Sequence, residues 1–194
     1  GFGAAVMLRN GRVLACGGTT GTIFAECRRY DPVGNTWSLV APMSVPRQHH
    51  TMTLLSNGRV LAAAGESVVN TSLNTAEIYD PVANTWTPTT GTLNVVRNQH
   101  LAVQLPDGKV LVAGGFTVVG PGATAAAEVF DPATGLWTPV GNMVVARYDA
   151  SGTLLPNGQV LVAGGVSENR AELYDPGTGM WTATNPLAQA RGEA

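Results

Sequence analysis

The sequence writes one unit four times, and this repetition constrains the fold more than any other feature. "LACGG" (14–18), "LAAAG" (61–65) and "LVAGG" (111–115 and again 161–165) are copies of one pentapeptide. Its final glycine follows a turn glycine, Gly11, Gly58, Gly108 or Gly158, by seven residues each time. Downstream stand "RYDP", "IYDP", "VFDP" and "LYDP", and six residues after each Asp comes Trp37, Trp86, Trp137 or Trp181. Arg47, Arg97, Arg147 and Arg191 follow those tryptophans by ten or eleven residues. Every tryptophan of the protein is therefore in register, and the chain is read as four equivalent bodies.

Each unit reads as four short strands, A to D. "HTMTLLSNGRVLAAAG" (50–65) is apolar and β-branched on both sides of Asn57-Gly58. Asn-Gly between such runs signals a hairpin, because both residues tolerate positive φ. "TAEIYD" (75–80) gives strand C, and after the Asp-Pro turn "TWTP" (85–88) gives strand D. The Asp is expected to accept turn amides, as Asx residues do. No stretch keeps a 3.6-residue period, so helix is expected to be nearly absent. Four strands of about five residues cannot bury a face alone, so the units must pack on one another. They fall at about 1–43, 44–93, 94–143 and 144–187, with 188–194 the start of a further repeat.

Composition excludes whole classes. A hydrophobic content of 44% against 12% charged residues argues for a packed core rather than disorder. A net charge of −2 without a Lys/Arg cluster offers nucleic acid no footprint. No apolar run approaches the roughly 18 residues of a membrane span, so no membrane insertion is expected.

The apolar strand, turn, apolar strand ending in Gly-Gly, then Tyr and Trp at fixed offsets, resemble the kelch repeat. That resemblance implies an all-β, kelch-type β-propeller in which each unit is a four-stranded antiparallel blade. "LLPNGQVLVAGG" and "AELYDP" are similar to the kelch propellers of secreted bacterial proteins, within the superfamily of galactose oxidase. An exported or cell-surface bacterial protein is the implied source. Kelch rings usually hold more than four blades. The four here are therefore expected to belong to a larger ring, with a two-chain assembly or a tight four-bladed ring as alternatives. Bare blade flanks would call for a homo-oligomer or the remaining blades as partner.

Repetition describes the shape, so function is sought where the copies differ. From the second glycine to the aromatic of "YDP" the separations are twelve, fourteen, fifteen and nine residues, which places the variation in the B–C loops. These loops (19–25, 66–74, 116–125 and 166–170) share a face with the D–A junctions "RQHH", "RNQH", "RYDA" and "RGEA". Variable loops on a rigid scaffold are where recognition is usually built. The candidate ligand-binding residues are Arg47, His49, His50, Arg97, Gln99, His100, Arg147, Tyr148 and Asp149. The alternative is that the Arg and His side chains satisfy buried carbonyls at the start of each inner strand. The reading is a binding or scaffolding module for a protein or glycan ligand, without cofactor or catalytic residues.

The resemblance to galactose and glyoxal oxidases also implies a rival, a copper enzyme or its remnant. In those enzymes an "R-x-Y-H" stretch opens an inner strand. Here His50 and His100 hold the His place, but His49 and Gln99 stand where the Tyr would be. Neither Cys lies on an inner strand. Cys16 replaces Ala63, Ala113 and Ala163, and Cys27 replaces Ala76, Ala127 and Ala171. On adjacent strands B and C they form either a disulfide, suited to an exported protein, or two small buried thiols.

Overall fold

The computed structural model describes residues 3–68, 71–118, 120 and 122–190. Among them there are strands and turns and no helix. The first blade is β1 (Ala4–Met7), β2 (Val13–Cys16), β3 (Cys27–Asp31) and β4 (Thr36–Val40). The second contains β5 (Thr51–Leu54) and β6 (Val60–Ala63), then, after the short pair β7 (Glu66–Val68) and β8 (Thr71–Ser72), β9 (Ala76–Asp80) and β10 (Thr85–Pro88). The third repeats that plan with β11 (Leu101–Gln104), β12 (Val110–Ala113), the pair β13 (Phe116–Thr117) and β14 (Gly122–Ala123), β15 (Ala127–Asp131) and β16 (Leu136–Pro139). The fourth is β17 (Ser151–Leu154), β18 (Val160–Ala163), β19 (Ala171–Asp175) and β20 (Met180–Thr184). Each blade is an antiparallel sheet ordered along the chain.

Register explains why the motif repeats. Side chains alternate across a strand, so the second strand presents Val60 and Ala62 to the preceding blade and Leu61 and Ala63 to the following one. The apolar clusters follow that rule. Leu14, Cys16 and Cys27 pack with Val60, Ala62 and Tyr79 of the second blade. Leu61 and Ala63 pack with Val110, Val112 and Trp137 of the third, and Leu111 and Ala113 with Val160, Val162 and Trp181 of the fourth. Within each blade the aromatic of "YDP" lies against its Trp, with ring centroids 5.0–5.1 Å apart. The Asp ends strand C by accepting turn amides, Asp31 from Val33 and Gly34 and Asp80 from Val82 and Ala83.

The inner strands pack in series, β1 on β5, β5 on β11 and β11 on β17, and no packing of that extent joins β17 to β1 among the described residues. The four blades therefore make an arc whose first and last inner strands are not packed as the internal ones are. Its ends are bare. Trp37 of the first blade is 54% exposed where Trp137 and Trp181 are 8% exposed. At the other end Leu161 is only half-buried, where its counterparts Leu14, Leu61 and Leu111 are fully buried.

Cys16 and Cys27 stand directly opposite one another on β2 and β3 and form a disulfide, with a Cα separation of 4.1 Å. Closing so short a loop restricts the unfolded chain by an amount on the order of 2–3 kcal/mol.

Candidate functional site

The B–C loops and D–A junctions are joined by backbone hydrogen bonds. Gly18 donates to the Arg47 carbonyl at 2.8 Å, Gly65 to that of Arg97 at 2.9 Å and Gly115 to that of Arg147 at 2.8 Å. The second glycine is required for this approach. A Cβ at Gly65 or Gly115 would lie 2.7 Å from the Gln48 or Asn98 carbonyl oxygen, at a backbone φ of +97° or +109°. Gln48 pairs with Glu66 and Asn98 with Phe116, so β7 and β13 continue directly from the junctions.

The junction arginines point into the blades. Arg47, Arg97 and Arg147 are buried and reach Glu77, Glu128 and Glu172 at 3.1, 2.8 and 2.6 Å. Arg97 also donates to the Gly114 and Ala126 carbonyls, both at 2.8 Å. Each Glu in turn accepts two backbone amides from the junction, those of Ser44 and Val45, Asn94 and Val95, or Val144 and Val145. Burial pushes the Arg47 and Arg97 guanidiniums below the usual arginine range, and the facing carboxylates oppose that push. These three arginines are thus corrected from candidate ligand contacts to buried structural ties. The partner glutamates carried a readable signal, since "AE" recurs at 76–77, 127–128 and 171–172.

The residues two places beyond each arginine behave differently. His49, Gln99 and Asp149 all adopt left-handed backbone, with φ of 52°, 52° and 53°. Such a conformation costs a non-glycine residue roughly 1–3 kcal/mol and is held only where the surroundings impose it. Here a backbone belt imposes it, Gln99 donating to the His49 carbonyl and Asp149 to that of Gln99, both at 3.0 Å. The Gln99 amide also donates to the Asp149 carboxylate at 2.8 Å.

These side chains surround a cavity of about 380 Å³, lined also by Gly3, His50, His100, Ala150 and Ser151. Five of the nine residues chosen from sequence, His49, His50, Gln99, His100 and Asp149, meet there. Tyr148 is not among the lining residues and packs edge-on against Phe116, 5.3 Å away. Larger hollows lie on the flank of the first blade, reaching Gly3 and the loop residue Phe24, and between the first two blades beside the turn glycine Gly58.

Two of the three lining histidines, His50 and His100, are buried. Burial, then Arg47, then His49 bring His50 down to about 3. Burial, then Arg97 and His50, hold His100 well below the ordinary histidine value. His100 Nε2 has a partner in Thr51 Oγ1 at 2.9 Å. Ala4 occupies the place of Thr51 in the first blade, and neither ring nitrogen of His50 has a hydrogen-bond partner among the described residues.

A copper centre does not fit these donors. Among the described residues no group of three His, Cys, Asp or Glu side chains is placed so that it could hold a metal ion. Both cysteines are consumed in the disulfide. The junction "RGEA" (191–194), expected to open a further repeat, lies outside the described residues.

Comparison with known proteins gives the relatives. The family model described as the Kelch motif matches residues 1–44, 53–91 and 100–144. The chain is 39% identical over 62 residues to the F-box/kelch-repeat protein At1g16250 of Arabidopsis thaliana, covering 31% of this chain and 16% of that protein. It is 33% identical over 97 residues to the putative F-box/kelch-repeat protein At1g27420 of the same plant, 44% of this chain and 28% of that protein. It is 43% identical over 63 residues to Kelch-like protein 4 of Homo sapiens, 32% of this chain and 8% of that protein. The chain thus spans less than a third of the length of these relatives, which are plant and human rather than bacterial. Among solved structures, that of YjhT superposes with a TM-score of 0.79 at 15% identity, over 98% of this chain and 67% of that one. A fungal alcohol oxidase of the AA5 family, in complex with copper, superposes with a TM-score of 0.57 at 19% identity, over 98% and 54%. At these identities the likeness is one of fold.

Proposed function

Because the chain belongs to the kelch family, whose repeats generally mediate protein binding, we propose that it is a non-catalytic binding module. Its B–C loops and D–A junctions present one face of the propeller to a protein ligand. One observation supports the reading above others. His49, Gln99 and Asp149, side chains that differ between blades, hang from a strained, hydrogen-bonded belt around a polar cavity. Scaffold positions repeat, whereas these three do not. A glycan is the second reading, favoured by a lining of imidazole, amide, carboxylate and hydroxyl groups suited to polyols. The disulfide supports export to an oxidising compartment.

Protein and glycan arrays probed with wild type and with His49→Ala, Gln99→Ala and Asp149→Ala test the site. Binding to a subset of features is expected to fall at least tenfold in the three variants. It is expected to persist in Arg59→Ala, which alters the turn on the opposite face. Equal binding by all four variants would move the site elsewhere.

A further inference from the structure

The four copies of "YDP" differ in one paired detail. Tyr30 and Tyr79 each donate their hydroxyl to an asparagine five residues on, Asn35 and Asn84, at 2.8 Å. The third blade replaces both members, with Phe130 and Gly135, so no hydroxyl needs a partner there. The fourth keeps Tyr174 but has Gly179 in place of the asparagine. Tyr174 is 2% exposed, and its hydroxyl has no hydrogen-bond partner among the described residues. A buried polar group left unmatched in this way costs free energy until something meets it. Tyr174 lines a cavity of about 240 Å³ between the third and fourth blades.

A carboxylate in the same cavity also lacks the partner its counterparts have. Asp31 pairs with Arg12 at 2.8 Å in the first blade, and Asp80 with Arg59 at 3.2 Å in the second. In the third blade the corresponding base, Lys109, turns instead to Asp107 at 3.2 Å. Asp131 accepts the Ala133 amide at 2.8 Å and has no ion pair among the described residues. Burial, then the carboxylates of Asp107 and Asp175, push the Tyr174 phenol up, the direction expected where negative charge predominates. The phenol therefore stays neutral, with its oxygen able to accept.

The junction between the first two blades indicates what fits. At the register of Val129, opposite Leu111, the first blade has Arg29, opposite Leu14. Arg29 is half-buried and has no ion pair or hydrogen bond of its side chain among the described residues. Its charge acts on Tyr79, the counterpart of Tyr174, whose phenol burial raises and Arg29 lowers. The chain thus carries its own guanidinium at the place where the third blade has Val129 and a cavity. We propose that this cavity binds a guanidinium group, supplied by a ligand where the first blade supplies Arg29. A planar cation that only donates meets both open acceptors, the Asp131 carboxylate and the Tyr174 oxygen, while Val129 and Val140 receive the methylenes attached to it. A free guanidino compound and an arginine side chain of a partner polypeptide carry the same group.

Titration of nitrogen-labelled protein with propylguanidinium, followed by NMR, is expected to move the amide signals of Val129, Thr138 and Tyr174 with a single saturating site. Affinity is expected to fall about tenfold in Tyr174→Phe and in Asp131→Asn, each of which removes one partner of a charged donor. Both variants suit the fold, since Phe130 already stands at the first position in the third blade and asparagine keeps an acceptor for the Ala133 amide. Val129→Arg places a tethered guanidinium as in the first blade and is expected to abolish the titration. A capped Gly-Arg-Gly peptide that binds more tightly than propylguanidinium supports the site with a partner's arginine as its ligand, and one that binds more weakly supports it with a free guanidino compound. Absence of shifts in wild type, equal binding of propylammonium, or shifts undiminished in Tyr174→Phe and Asp131→Asn would overturn the proposal. None of these variants touches the loop face, which lies at the other end of the blades.

Discussion

His50 is an orphan because of a residue forty-six positions away. Its counterpart His100 leans on Thr51, but the corresponding place in the first blade is Ala4, whose methyl group has nothing to offer. The native state holds His50 near a pKa of about 3, far below that of an unfolded histidine. Protonation therefore favours the unfolded chain. Stability is complete above about pH 6.5 and falls as the pH drops from there toward about 3, by up to about 1.4 kcal/mol per pH unit. Thermal melts between pH 7 and 4 should show this slope, and His50→Phe should flatten it. Ala4→Thr restores the missing partner and is expected to add about 1 kcal/mol at neutral pH. Urea titration is the measurement, and an unchanged midpoint would refute the assignment.

At the scale of the element, each junction is tied to the following blade by a buried ion pair. Removing one partner strands the other charge without water. Glu128→Ala leaves Arg97 and the amides of Asn94 and Val95 without their acceptor, and is expected to cost about 3–5 kcal/mol in urea unfolding. Lys109→Ala, which breaks only an exposed pair with Asp107, should leave the curve unchanged. These ties were half legible in the sequence. The recurring arginines were visible, but a lone count of charges does not say that each belongs with the "AE" of the next unit. The strands were legible because glycine turns and aromatic offsets fix register locally. The short pairs β7–β8 and β13–β14 were not, since segments of two or three residues carry no periodicity. The cavity was legible as a cluster of unlike residues at like positions. That His49, Gln99 and Asp149 occupy left-handed backbone was not, because a belt formed between blades dictates it rather than residue type.

As a whole molecule, the arc of blades has two unlike ends. The first presents Val13, Tyr30 and Trp37 to solvent and the last presents Leu161 and Ala163, the two halves of the packing that every internal interface uses. Acrylamide quenching should therefore find Trp37 far more accessible than Trp137 or Trp181, and Trp37→Phe should remove most of the quenchable emission. Equal quenching of all four tryptophans would mean that the first flank is covered in solution.

The belt linking His49, Gln99 and Asp149 has an evolutionary corollary. Main-chain atoms set the distance from one such position to the next, whatever side chain each carries. A mutation there can exchange one recognised chemistry for another while leaving the spacing around the cavity the same. New binding preferences can thus be acquired one letter at a time, without any blade having to be refitted to its neighbours.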